Sequence, residues 1–99
     1  MGQIDITKHS DSHYTIQYKY GKKSGIIEHI SGEESRSSQN RFYDRVERGE
    51  ITEVGVIPKS QNLEETRMRL KKELGYRVLK LLHQFGPAEV KTDFGSFWK

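Results

Sequence analysis

Apolar positions recur along the chain with two different periods. Ile4 and Ile6 alternate with Asp5 and Thr7, the period of two of a short strand over residues 3–8 with one buried face. Residues 13–20 repeat the pattern, with Tyr14, Ile16, Tyr18 and Tyr20 on one side and Thr15, Gln17 and Lys19 on the other. Gly21-Lys22-Lys23 interrupts it, and residues 25–31 resume with Ile26, Ile27 and Ile30, so a hairpin joins the two segments. The Ile26-Ile27 pair departs from strict alternation and predicts a bulge or a strand apolar on both sides. Residues 51–57 are rich in Ile and Val and end at Pro58, which makes them a fourth strand.

Between 63 and 85 the period lengthens to that of a helix. At 100° per residue, Leu63, Leu70, Leu74, Val78, Leu81, Leu82 and Phe85 fall within about 120° of arc. Asn62 with Glu65 reads as a capping box, and Gly86-Pro87 as a stop. Arg67 sits inside the apolar stripe, so its stem is covered while its head reaches water or a partner. A second, minor apolar line of Met68, Gly75, Leu79 and Leu82 has heptad-like spacing and predicts a homodimer seam or a partner groove. A shorter helix is expected near 39–48, started by Ser37 or Ser38 and stopped by Gly49. Residues 32–38 read as a flexible polar loop. The end of the chain alternates through Val90, Thr92 and Phe94 and then presents Phe97 and Trp98, the pattern of a terminal strand or a packed tail.

Composition narrows this picture. The 99 residues are 32% apolar and 31% charged, with 17 basic and 14 acidic side chains and net charge +3. That balance favours one folded α+β domain over disorder. Its expected form is an antiparallel sheet of about four strands, with the long C-terminal helix packed on one face and the short helix between strands. No apolar run is long enough to span a membrane. The absence of cysteine removes disulfides and thiolate chemistry and fits a cytoplasmic setting. No GxSxG, P-loop, HExxH or GxGxxG pattern occurs, so a non-catalytic role, with no cofactor, is the expectation over an enzyme.

Candidate chemistry is of three kinds. The first is basic and aromatic: Tyr14, Tyr18 and Tyr20 interleave with Lys19, Lys22 and Lys23, and the long helix carries Arg69, Lys72, Arg77 and Lys80. Such residues contact phosphates and stack on bases, so a small binding module for nucleic acid, a nucleoprotein complex or an acidic protein surface is the leading expectation. Because the whole +3 lies in residues 51–99, the helix enters that reading. The i, i+4 spacings Arg69–Glu73 and Glu73–Arg77 predict internal pairing of part of this charge. The second kind is protein-directed, an inhibitor or adaptor of phage or mobile-element type acting on a host protein. The third is His9-Ser10-Asp11-Ser12-His13. In an extended chain His9, Asp11 and His13 project to one side, a weak candidate for a metal site.

Overall fold

The computed structural model describes residues 1–32, 36–57 and 62–94. These form β1 (Gly2–Ser10), β2 (His13–Tyr20), β3 (Lys23–Ser31), α1 (Arg36–Glu47), β4 (Glu53–Ile57), α2 (Leu63–Phe85) and β5 (Ala88–Thr92). The strands make one mixed sheet in the order β4-β3-β2-β1-β5. Neighbours β1, β2 and β3 are antiparallel, as the two hairpins require. β4 runs parallel to β3, and β5 runs parallel to β1. The expected four-stranded antiparallel sheet is therefore corrected on two counts, strand number and direction. The reason is the placement of the helices. A chain that leaves a sheet through a helix returns in its original direction, and a helix precedes each of the two edge strands.

The β2–β3 connection is a two-residue turn in which Tyr20 pairs with Lys23 and Gly21 takes φ +59°. Positive φ at the first turn position matches the twist of the hairpin and favours glycine there. Helix α2 is continuous through Gly75. Asn62 adopts an extended backbone, and its side chain accepts from the Glu65 amide at 2.7 Å. The Glu65 carboxylate accepts from Arg69 at 2.9 Å. At the other end the Gly86 amide donates to the Leu82 carbonyl. No helix among the described residues is long and apolar enough to cross a membrane.

One core lies between α2 and the sheet. Leu70, Leu74, Val78 and Leu81 of α2 close on Ile4, Ile6, Tyr14, Ile16, Ile27 and Ile57. The stripe read from the sequence is this buried face, apart from Leu63, whose side chain lies outside the described residues. Arg67 places its guanidinium on Asp11 at 3.1 Å, so its head pairs while its stem crosses the core edge. The strand residues meeting α2 alternate with those on the opposite face, and pairing keeps that parity across the sheet: Tyr14 opposes His29, and Ile16 opposes Ile27. On the opposite face Ile30 is fully buried, and α1 packs over the β4 side. The expected loop at 32–38 is shortened from its C-terminal end, since α1 begins at Arg36; residues 33–35 lie outside the described residues. Phe97 and Trp98 also lie outside them, whereas Phe94 meets Tyr14 edge-on at 5.4 Å.

Candidate metal centre

The sheet face turned away from α2 is polar over β1, β2 and the adjoining half of β3. The register places Thr7, Thr15 and Glu28 side by side across these strands. Helix α1 borders this face, where Phe42 meets the His13 ring edge-on at 5.1 Å. Among the described residues this face has shallow cavities of about 310 and 260 Å³, both lined by Gln17 and Ile26. The smaller one holds His9, His13, Thr15, Glu28 and Arg45.

These residues meet because of a local irregularity. The β1–β2 register shifts between Lys8 and Ser10, so His9 occupies a bulge, a device that re-aims a side chain at the end of a ladder. Its ring stacks on His13 with centroids 4.3 Å apart and planes 21° from parallel. The His9 Nε2 lies 2.7 Å from the Thr15 hydroxyl oxygen. That hydroxyl donates to both Glu28 carboxylate oxygens at 2.9 and 3.0 Å. Its one proton is thereby committed to Glu28, so His9 is the donor in the contact with Thr15. The His13 Nε2–H donates to Glu28 Oε2 in turn.

Glu28 is only 3% exposed. Burial alone pushes its carboxyl pKa up, but the hydrogen bonds from His13 and Thr15, with the charges of His13 and Arg45, outweigh burial and hold it below the usual carboxylate range. It is therefore a buried anion at neutral pH. One ligand atom each from His9, His13 and Glu28 lies within 4.8 Å of the other two. Two imidazoles and a carboxylate are a donor set for a divalent transition metal, with coordination positions left for other ligands. Thr15 would then orient the carboxylate from behind, as outer residues do in metal sites.

The third ligand differs from the one expected. Asp11 does not face the histidines. It pairs with Lys8 at 2.8 Å and with Arg67 of α2, and these two hydrogen bonds hold its carboxyl below the ordinary value. The turn carries it toward the helix, and Glu28 takes its place from a neighbouring strand. The available signal was a charged residue inside the apolar run Ile26-Ile27-Glu28-His29-Ile30. Adjacent His29 does not join the cluster, because successive strand residues point to opposite faces.

The basic and aromatic candidates are dispersed. Tyr14 is fully buried in the core. Tyr18 and Tyr20 pack on Phe85 with centroids at 5.8 and 5.3 Å, and the Tyr20 hydroxyl donates to the Gly86 carbonyl. The alternation of these tyrosines marks the α2 side of the sheet, with Tyr14 in the core and Tyr18 and Tyr20 half-buried at its edge. Arg69 binds Glu65, and Arg77 binds Glu53 at 2.7 Å, in place of the expected pairing with Glu73. Lys72 and Lys80 are exposed on α2, with Lys80 over Tyr76 at 5.9 Å. Lys19 projects from the open face of β2, Lys22 is in the turn and Lys23 follows it, lying over Phe85 at 5.7 Å. Met68 and Leu79 are exposed on the outer side of α2. Comparison with known protein families, curated proteins and solved structures finds no match for this chain.

Proposed function

We propose that the protein binds a divalent transition-metal ion through His9, His13 and Glu28 and presents its remaining coordination positions to a small ligand in the open-face cavity. The observation carrying this reading is the convergence of the three donor groups within 4.8 Å around a carboxylate already ionised and held by Thr15. Such a donor set suits Zn²⁺ and other ions of similar softness. Binding at Nε2 requires each imidazole to be neutral with its proton moved to Nδ1, so protons compete with the ion and affinity falls as pH falls. Arg45 lines the same cavity and adds positive charge beside the open positions, which favours an anionic or polar occupant.

The test is calorimetric titration of tag-free, chelator-treated protein with Zn²⁺. One ion per chain is expected, with binding reduced about a hundredfold or more in Glu28→Gln and in His13→Ala. No uptake by the wild-type chain, or uptake indifferent to Glu28→Gln, overturns the reading.

A second reading, a basic module for nucleic acid, has one observation in its favour. Lys19, Lys22 and Lys23 are all exposed around the β2–β3 turn. It rests on phosphate contacts alone, since the tyrosines face the core. Oligonucleotide affinity is then expected to fall steeply with salt and to collapse in Lys22→Glu/Lys23→Glu; absence of binding at low salt removes this reading.

A further inference from the structure

Met68, Tyr76 and Leu79 are 61, 60 and 66% exposed, and with Met1 and Tyr43 they are the exposed large apolar side chains among the described residues. The three share one side of α2. At 100° per residue, Gly75, Met68, Leu79, Lys72, His83 and Tyr76 fall in order within about 100° of arc, centred opposite Leu70, Leu74 and Leu81. A helix of a small domain ordinarily presents charged side chains there. This stripe instead sets Met68, Leu79 and Tyr76 among Gly75, Lys72 and His83, with Glu65 at the same angle as His83, and the sheet and its core are on the other side.

We infer that this stripe is the seam of a two-fold homodimer in which two copies of α2 pair antiparallel. Charge identifies the occupant as a second copy. The first turn of α2 carries Glu64 and Glu65, and its far end carries Lys80 and His83. A parallel pairing sets like charges together at both ends. An antiparallel pairing sets the acidic first turn, where Glu64 is exposed and Glu65 is already paired with Arg69, against the partner's Lys80 and the partner's His83, and opposes the two helix dipoles favourably. In that register Met68 meets the partner's Leu79, and Lys72 lies over the partner's Gly75. Gly75 removes a side chain where the two axes approach most closely, which gives this mid-helix glycine a physical role despite its cost of about 1 kcal/mol against alanine. The same contacts recur on both sides of the axis, as an isologous interface requires. A seam made by one helix per chain is below the standard size of tight complexes, so dissociation is expected in the micromolar range. The metal centre is on the opposite face of the sheet, and the dimer does not depend on it.

Sedimentation equilibrium of the full chain from micromolar to millimolar concentration tests this. A concentration-dependent species of twice 11.6 kDa is expected, insensitive to chelator. Leu79→Lys is expected to leave a monomer, with circular dichroism and melting temperature showing an intact fold. Lys80→Glu/His83→Glu is expected to weaken dimerisation about tenfold or more, and Glu64→Lys in the same chain to restore it. The inference is overturned by a chain that stays monomeric throughout, by a dimer indifferent to Leu79→Lys, or by one that chelator dissociates.

Discussion

Glu28 and His29 are consecutive on β3, and both are almost completely buried, yet they are in opposite situations. Glu28 turns to the open face, where Thr15 and His13 supply donors, and it stays ionised. His29 turns to α2, where neither ring nitrogen has a hydrogen-bond partner among the described residues. Burial, aided by the Arg77 charge, lowers its pKa to about 4, so it is neutral at ordinary pH. A polar group under α2 is tolerated only without charge. The other face holds a charge because its strands bring donors to it. That contrast makes the open face the side that holds a buried charge and the α2 face the side that carries the core.

The contrast is broken most directly by substituting each face in turn. Leu74→Ala, at a fully buried position on the inner side of α2, is expected to cost about 2–5 kcal/mol. Gln17, exposed on the open face, is expected to stay within about 0.5 kcal/mol of wild type as Gln17→Ala. Urea unfolding of both variants decides the matter; comparable losses would mean that the open face also carries the fold.

The pH dependence of stability sharpens the contrast next. Above pH 6.5 the His29 ring is neutral whether folded or unfolded. As pH falls from 6.5 toward the folded value of about 4, the unfolded chain takes a proton that the folded chain refuses, and stability drops by about 3 kcal/mol. His29→Leu is expected to remove this loss. Glu28 acts in a lower window. Its folded pKa is depressed below 4.5, so its contribution is present above 4.5 and disappears as pH falls through the folded value. Denaturation midpoints measured from pH 8 to pH 3 separate the two, since a His29→Leu chain retains only the acid limb.

A smaller effect probes the carboxylate. Glu28→Gln preserves shape but loses the charge that His13 and Thr15 address, and about 1–3 kcal/mol is expected to go with it. An unchanged unfolding midpoint would show that the network adds nothing to the fold.

The parts of this arrangement that could be read in the sequence are those that depend on local period. The α2 stripe, the Asn62 cap, the hairpin and the tyrosine alternation all repeat within a few residues, and the structure keeps each of them. Strand direction was not legible, because β4 and β5 acquire theirs from the helices that precede them. The candidate ligand set was half legible. His9 and His13 are neighbours along one segment, but Glu28 joins them through β2–β3 register, 15 residues past His13. Asp11 had the right spacing and the wrong face, because Arg67, far along the chain, pairs with it.

Thr15→Val is the mildest change and the one that separates the two roles of the open face. Valine keeps the β-branched shape but removes the donor that Glu28 uses and the acceptor that His9 uses. His13 still donates to Glu28, and His9 is exposed, so water can satisfy its ring. The stability cost is therefore expected to be small, about 1 kcal/mol. Zn²⁺ uptake is expected to persist with weakened affinity, because all three ligands remain and only their orientation is loosened. If Thr15→Val abolished uptake as completely as Glu28→Gln, Thr15 would itself belong to the ligand set. If it left affinity unchanged, the Thr15–Glu28 contact would hold β2 to β3 and do nothing for the metal.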